Sequence, residues 1–400
     1  MLLAFYVPTA LLAFCDGLLI PTMPLFAAAF DDRLSVVGLI LAAEAFGLLL
    51  CDLPAGRLLR FVTPKTAILL GGGVYGLSML LTPLAPSVAI LVLMRVAAGG
   101  GLALFGVSRH AYLAGASLGG KRGRMISIYG GVNRLGLFVG PLAGGFLGSW
   151  LGLAAPFVLA AVLCFVGIWM MMALLPGIEV NVREGQDAQD RGAVARALRA
   201  SRRDLLVAGT GQLFGQAVRA GRKVLLPLIG AQVLGLDVAA VGIVVGAAGF
   251  ADMALSYPAG WLMDRYGRKF AILPCFGIQA LGLALLPFVS GFGGLLAAGI
   301  IIGLGNGLGS GNMMTLGADL APRAAMGEFL GLWRLIGDVG WVGGPIVVGA
   351  VAQALSFSAS SFVMAGVGVA AVAWFGLLVP ETRGRDALPV AENTGVQAAS

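Results

Sequence analysis

The chain has 400 residues, enough for two or three soluble domains, but 59% of them are apolar and 11% charged, against roughly 25% charged in an average soluble domain. So few charges cannot clothe a soluble surface, and the 63 glycines show no three-residue collagen period. The net charge of +7 would suit a nucleic-acid partner if the bases formed one patch, and they are spread over loop ends instead.

The apolar runs read as twelve membrane spans of about 20 residues each. They cover 3–29, 35–57, 65–84, 87–110, 125–148, 152–175, 205–232, 238–262, 270–289, 293–317, 328–352 and 356–379. The first run has no basic segment ahead of it and no small-residue cleavage site, so it reads as a retained span. Connections are short except for 176–204, which carries charges from Glu179 to Asp204. This stretch divides the chain into a first bundle, 1–175, and a second, 205–380, with a tail over 381–400. Its end, 193–204, with Arg196, Arg199, Arg202 and Arg203, reads as a basic amphipathic helix on the membrane surface. The expected class is an all-α polytopic membrane protein of twelve transmembrane helices in two six-helix bundles.

Lys and Arg gather in alternate loops: Arg57, Arg60 and Lys65; Lys121, Arg122 and Arg124; Arg265, Arg268 and Lys269; and Arg323. The opposite loops hold Arg33, beside Asp31 and Asp32. The positive-inside rule then predicts a cytoplasmic (inner) membrane protein with both termini and the central loop in the cytoplasm. Four scattered cysteines and a single His110 suggest neither a disulfide framework nor a metal centre, and no cofactor is expected.

A constant shift of 204 residues lays one half on the other. Val37-Gly38 falls on Val241-Gly242, Pro54-Ala55-Gly56 on Pro258-Ala259-Gly260, Pro83 on Pro287, and Gly140-Pro141 on Gly344-Pro345. Two parallel repeats of six spans make pseudo-equivalent bundles, with a solute site between them near mid-membrane.

Gly260-x-x-x-Asp264-Arg265-x-Gly267-Arg268-Lys269 resembles the G-x-x-x-D-R-x-G-R-K loop of the major facilitator superfamily. In the other copy, Gly56 to Lys65, Arg60 replaces the acid. Arg95 with Gly99 is similar to the family's span 4 element. Gly136-x-x-x-Gly140-Pro141-x-x-Gly144-Gly145 resembles the span 5 motif of its proton-coupled drug antiporters, although Ser127 stands where that motif has an upstream glycine. Asp16 followed by Pro21 and Pro24 is similar to the same twelve-span branch, and Pro380-Glu381-Thr382-Arg383-Gly384 to the sugar-porter terminus. The resemblance implies the major facilitator fold, alternating access and a gating role for the loop around Asp264. In its own physics, the Gly and Pro of span 5 permit close, bent helix packing. The acid among bases at loop 8–9 suits a latch onto a neighbouring helix end.

Ionisable side chains in spans are costly and mark function. Asp16, Glu44, Arg95, Arg134, Asp252 and Asp338 fall near mid-depth, and Arg219, Arg222 and Lys223 share one helical face at i, i+3, i+4 spacing. That face must line a wet cavity or meet acids. Asp16 is the leading proton carrier, with Glu44 and Asp338 as alternates. Asp16, Arg134, Arg219, Arg222, Lys223 and Arg334 are the expected substrate-cavity residues. The family's architecture places spans 2 and 11, and spans 5 and 8, side by side, which implies two inter-half ion pairs, Glu44–Arg334 and Arg134–Asp252. Bases outnumber acids in the spans, so a carboxylate, phosphate or zwitterion would find charge-assisted partners.

Near-matches to nucleotide-binding loops at Gly115–Lys121 and Gly71–Gly76 lack any strand before them, so an enzymatic reading is rejected. The expected function is a secondary active transporter, a proton-coupled exporter of amphipathic, anionic or zwitterionic solutes, working as a monomer in the lipid bilayer. Proton-coupled uptake of an organic anion or sugar, and a non-transporting receptor or assembly factor on the same fold, are the alternatives.

Overall fold

The computed structural model describes residues 2–59, 61–116, 122–174 and 191–382. Fourteen α-helices are found among them and no strand. Six form the first bundle: α1 (Leu2–Phe30), α2 (Leu34–Leu58), α3 (Pro64–Leu81), α4 (Val88–Ala116), α5 (Arg122–Leu151) and α6 (Ala155–Leu174). A short α7 (Arg191–Ala200) precedes the second bundle. That bundle comprises α8 (Arg202–Leu228), α9 (Val238–Tyr266), α10 (Lys269–Leu285), α11 (Gly291–Leu308), α12 (Asn312–Leu320), α13 (Met326–Ala354) and α14 (Phe357–Leu377). Helices α11 and α12 together make span 10, so spans 7 to 12 correspond to α8, α9, α10, α11–α12, α13 and α14.

Local chemistry fixes several ends. Thr63 accepts a hydrogen bond from the Thr66 amide, and Pro64 opens α3 at the one turn where a missing N–H costs nothing. Asp237 caps α9 through the Ala240 amide, and Ser356 caps α14 through the Ala359 amide. Prolines inside the helices, Pro141 and Pro345 among them, are tolerated because backbone groups freed in a membrane are taken up by packed neighbours.

The repeat seen in the sequence is structural. Shifted by 204, α2 begins on the first residue of α9, and α5 on the first residue of α13. The 3₁₀ turn Thr82–Leu84 falls on the turn Leu286–Phe288. Packing repeats as well. In the first bundle α1 packs on α5 and α6, α4 on α2 and α3, and α3 on α6. In the second, the mates do the same: α8 on α13 and α14, α11 on α9 and α10, and α10 on α14. The two main contacts between bundles, α2 with α13 and α5 with α9, exchange under the same operation, so a pseudo-twofold axis runs between them.

Ten described segments are long and apolar enough to cross a membrane. Helices α5 and α8 miss that measure because they carry Asn133, Arg134, Gln212, Gln216, Arg219, Arg222 and Lys223. Their repeat mates α13 and α1 meet it, and all four pack at the middle of the molecule. The polar spans face the axis while α3, α6, α10 and α14 present exposed Leu70, Phe165, Leu281 and Phe362 to lipid. The protein is therefore a multi-pass, all-α membrane protein of two six-span bundles.

The amphipathic helix expected over 193–204 is shorter. It spans Arg191–Ala200, turns at Ser201, and leaves Arg202 and Arg203 to begin α8; a membrane span starts here because Leu205 and Leu206 follow. The central stretch 176–190, the tail beyond Thr382, Arg60, Lys121 and the end of the terminal Pro-Glu-Thr-Arg-Gly motif lie outside the described residues.

Candidate functional site

Two chambers lie side by side between the bundles. One, of about 360 Å³, is lined chiefly by the second bundle: Arg219, Arg222 and Lys223 of α8, Asp252 of α9 and Asn306 of α11, with Arg134 of α5 reaching across. The other, of about 320 Å³, is lined chiefly by the first: Asp16, Glu44, Tyr75 and Arg95. Ile20, Leu137, Lys223 and Trp341 belong to both linings and form the partition. The Lys223 ammonium lies 4.8 Å from the centre of the Trp341 ring, a cation–π contact that steadies a desolvated charge.

The helical spacing of the α8 cations delivers them to one face, and that face looks inward as expected. Arg222 lies 3.8 Å from the Asp252 carboxylate, which also accepts from Asn306 Nδ2 at 2.5 Å. Arg219 donates to the Gly309 carbonyl at 3.0 Å and stacks over Phe276. Arg134 bonds the Ser310 hydroxyl. In the other chamber the Tyr75 hydroxyl, on a side chain that is 1% exposed, donates to Asp16 Oδ1 at 2.8 Å. Arg95 and Glu44 form an ion pair.

The two expected inter-half pairs are not formed in this structure. Glu44 is taken by Arg95 within its own bundle because α2 and α4 pack backbone to backbone at Gly99, where an added Cβ would strike α2 between Glu44 and Leu48. Arg134 and Asp252 line the same chamber, yet each has a nearer partner, Ser310 and Asn306. Arg334 does cross between bundles, but to Asp52 at 3.1 Å, with Asp338 at 3.7 Å one helical turn away. Arg334 and Asp338 therefore stand apart from both chamber linings, which corrects the placing of Arg334 in the cavity. Asp52 sits eight residues beyond Glu44 on α2, nearer the basic loops, because Arg334 enters α13 from that same end.

The two ends of the molecule are joined by different chemistry. At the face away from the basic loops, glycines bring the bundles into backbone contact. An added Cβ on Gly145 would lie 2.7 Å from the Gly242 Cα, and one on Gly349 would lie 2.9 Å from the Gly38 Cα. The Leu34 amide adds a 2.6 Å bond to Gln353. Gly136, Gly140 and Gly144 seat the other side of α5 against α1, around Ala13 to Leu18, with Pro141 beside Gly17. Span 5 is thus a two-sided packing seam. Toward the basic loops, the bridges among the described residues are polar, Arg334–Asp52 and Arg134–Ser310, and a Cβ on Gly56, Gly260 or Gly327 would meet open space.

The loop motif is tied within its own bundle. Arg268 pairs with Asp319 at 2.8 Å and more loosely with Asp264 at 3.4 Å. Asp319's hydrogen bond, with its charge, holds the Arg268 guanidinium above its ordinary pKa. The Glu381 carboxylate accepts from the Arg268 and Lys269 amides at 2.8 and 3.0 Å, capping α10, and Thr382 donates to Asp319. Gly267 suits glycine because its φ of +115° is one that other residues rarely adopt, and a Cβ there would also crowd the Glu381 carboxylate. Arg265 stacks by Trp261 and Tyr266. The carboxylate that holds Arg268 most closely is thus Asp319 and not the well-exposed Asp264, and the terminus joins the cluster through Glu381 and Thr382.

These features match a known family. The family model of the Major Facilitator Superfamily matches residues 6–220 and again 213–398. The chain belongs to the major facilitator superfamily. An uncharacterized MFS-type transporter of Methanocaldococcus jannaschii is 23% identical over 343 residues, 86% of this chain and 88% of that one. The class C tetracycline resistance protein of Escherichia coli is 28% identical over 355 residues, 84% and 85% of the two chains. The crystal structure of the nucleoside transporter NupG superposes with a TM-score of 0.78 over 94% of this chain and 99% of that chain, at 14% identity. The protein is thus a major facilitator transporter.

Tyr75, Trp341, Asn306, Ser310 and Asp52 do not stand out in the sequence. The Gly305-Asn306-Gly307-x-Gly309-Ser310-Gly311 string is the signal that could have found two of them, because so many glycines in a span mark a place where backbone and polar groups meet a cavity.

Proposed function

We propose that the protein is a proton-coupled exporter of small amphipathic anions or zwitterions, working by alternating access in the cytoplasmic membrane with both termini on the cytoplasmic side. The observation that carries this reading is the cationic chamber between the bundles, where four bases face one carboxylate. Unpaired charge away from water is expensive, and an anionic solute offsets that cost in a way a cationic drug cannot. With the basic loops in the cytoplasm, the polar-bridged end faces inward and the glycine seam faces out, so this conformation receives solute from the cell. Rocking about the axis would part the Gly145–Gly242 and Gly38–Gly349 seams and deliver it outside.

Asp16 is the proton carrier in this reading. It sits in the neighbouring chamber, hydrogen-bonded by Tyr75, and Lys223 lines both spaces. Each pH unit of gradient supplies about 1.4 kcal/mol for one proton. The solute path lies within one chain, so one copy suffices. The export direction draws support from the tetracycline resistance relative.

Proteoliposomes with an imposed pH gradient test the reading. Candidate anions should move against their gradient and draw protons the other way, Asp16→Asn should abolish the coupling, and Arg222→Ala should abolish anion movement. Silence across anionic, zwitterionic and cationic panels would leave the proposal without support and favour a non-transporting role.

A further inference from the structure

Span 10 is not one helix. Helix α11 ends at Leu308, the chain turns through Gly309-Ser310-Gly311 with Gly311 at φ +79°, and α12 starts afresh at Asn312. The break lies in the wall of the cationic chamber. Two guanidiniums already converge on it: Arg134 from the first bundle, on the Ser310 hydroxyl, and Arg219 from the second, on the Gly309 carbonyl. The nine-residue α12 begins there, with the positive end of its dipole at the break.

Several polar atoms at this place are buried and without a partner: Arg219 Nε, Arg222 Nε and Asn306 Oδ1. The first two are donors and the third an acceptor. A buried polar atom left unpaired costs about 1–3 kcal/mol, so these three mark a polar cluster that is under-satisfied in this conformation. Asn306 Oδ1 is turned away from the bond its own Nδ2 makes to Asp252, and needs a donor. The chamber, at about 360 Å³, is at the small end of ligand pockets, and Leu226, Val245 and Trp341 give it an apolar side.

We infer that the break in span 10 is an oxyanion subsite, which seats the carboxylate or phosphonate-type group of a metabolite-sized solute between Arg134, Ser310, Arg219 and Arg222, while Asn306 and Asp252 take a hydrogen-bond donor of the same molecule. The inference rests on the transport reading above and narrows it. The solute carries one compact oxyanion and a nearby ammonium or hydroxyl, on a small apolar body. Because Arg134 and Arg219 come from different bundles, the oxyanion also ties the bundles together on the side of the basic loops.

The test uses purified full-length protein and four matched probes: 3-phenylpropionate, 2-phenylethylphosphonate, phenylalanine and phenethylammonium. Binding is read from tryptophan fluorescence, with Trp341 in the chamber wall, and from the shift in melting temperature. The anionic probes and phenylalanine should bind saturably and phenethylammonium should not. Arg134→Gln and Ser310→Ala should each weaken the anions by about tenfold or more, Arg134→Lys by less, and Arg33→Gln, in a loop far from the chamber, not at all. The ratio of carboxylate to phosphonate affinity tells which oxyanion the site prefers. Phenethylammonium binding as tightly as the anions would overturn the subsite. So would the absence of any anion-dependent shift at millimolar concentration, or anion affinity within about twofold of wild type in an Arg134→Gln protein that melts normally. Arg134-dependent binding without flux in liposomes would sink the transport reading and keep the subsite. Proton-driven anion flux indifferent to Arg134 and Ser310 would do the reverse.

Discussion

Adding one methyl group to the glycine seam should turn the transporter inside out. In Gly242→Ala the new Cβ would lie 2.7 Å from the Gly145 Cα, 2.7 Å from the Pro141 carbonyl oxygen and 3.2 Å from the Gly145 nitrogen. Carbon atoms prefer about 3.5–4.0 Å, so the deficit is close to 1 Å, and all three opposing atoms are backbone that cannot rotate aside. Overpacking of this kind costs about 1–3 kcal/mol. The cost falls on the state in which α5 and α9 touch; once the bundles part there, the methyl meets open space. The conformational equilibrium should therefore shift about 5- to 150-fold toward the state open at that face. Ile20, in the partition between the chambers, reports it. With Cys51 replaced by Ala and the buried Cys15, Cys164 and Cys275 retained, Ile20→Cys should react severalfold faster with a membrane-impermeant maleimide applied from the seam side. Gly293→Ala, where the added Cβ meets nothing, should leave the rate unchanged. Equal or slower labelling in Gly242→Ala would show that the seam is not the closure.

Three further outcomes follow from the same geometry. Glu44→Ala strands the Arg95 guanidinium, which is 5% exposed. It should cost near the lower end of about 3–5 kcal/mol, since Glu44 is open to its chamber, and Glu44→Met with Arg95→Met should recover most of that on thermal unfolding; no recovery would mean the pair matters for something besides mutual burial. Arg334–Asp52 should contribute less than about 1 kcal/mol, because Arg334 is half exposed, yet the swap Asp52→Arg with Arg334→Asp should restore transport that either single change impairs; a swap no better than the singles would remove this bridge from the cycle. Asp31 is held down to about 2 by hydrogen bonds from Arg33, so its contribution is complete above the ordinary carboxylate range and is lost only as pH falls through about 2. Asp31→Asn should leave the pH profile of transport near neutrality unmoved, and a displaced profile would place a proton step in that loop.

The fold was largely legible because membrane spans and a gapless repeat are one-dimensional signals. The offset of 204 residues recurs in helix starts, in the paired 3₁₀ turns and in the helix contacts. The inward face of Arg219, Arg222 and Lys223 was legible for the same reason, since spacing on a helix fixes direction. Pairings were less so. Glu44 goes to Arg95 and Arg334 to Asp52 because partner choice depends on helix rotation and depth to within a few ångströms, which periodicity does not carry. Tyr75 reads as an ordinary buried aromatic, and its hydroxyl gains meaning once α3 is known to point at Asp16.

The repeat also shows one backbone frame carrying two unlike chambers. Carried across the axis by the same offset, Leu137 falls on Trp341, so those two members of the partition are mates of one another. Leu41, Glu44 and Ala45 of one chamber fall on Val245, Ala248 and Gly249 of the other. The backbone is shared, and substitutions supply the difference. Asp16 and Glu44 have Ala220 and Ala248 as mates, while Arg219, Arg222 and Lys223 face Cys15, Leu18 and Leu19. The surplus therefore differs between the halves, acid at Asp16 in one and base at Arg219, Arg222 and Lys223 in the other, while each keeps a pair of opposite charges, Arg95 with Glu44 and Asp252 with Arg222. The two surpluses still interact, because charges attract strongly in a poorly screened interior. Lys223 lies in that partition, the one α8 cation common to both linings, so Lys223→Met should uncouple proton movement from anion binding while both persist. Proton-driven flux of undiminished stoichiometry in Lys223→Met would refute that division of labour.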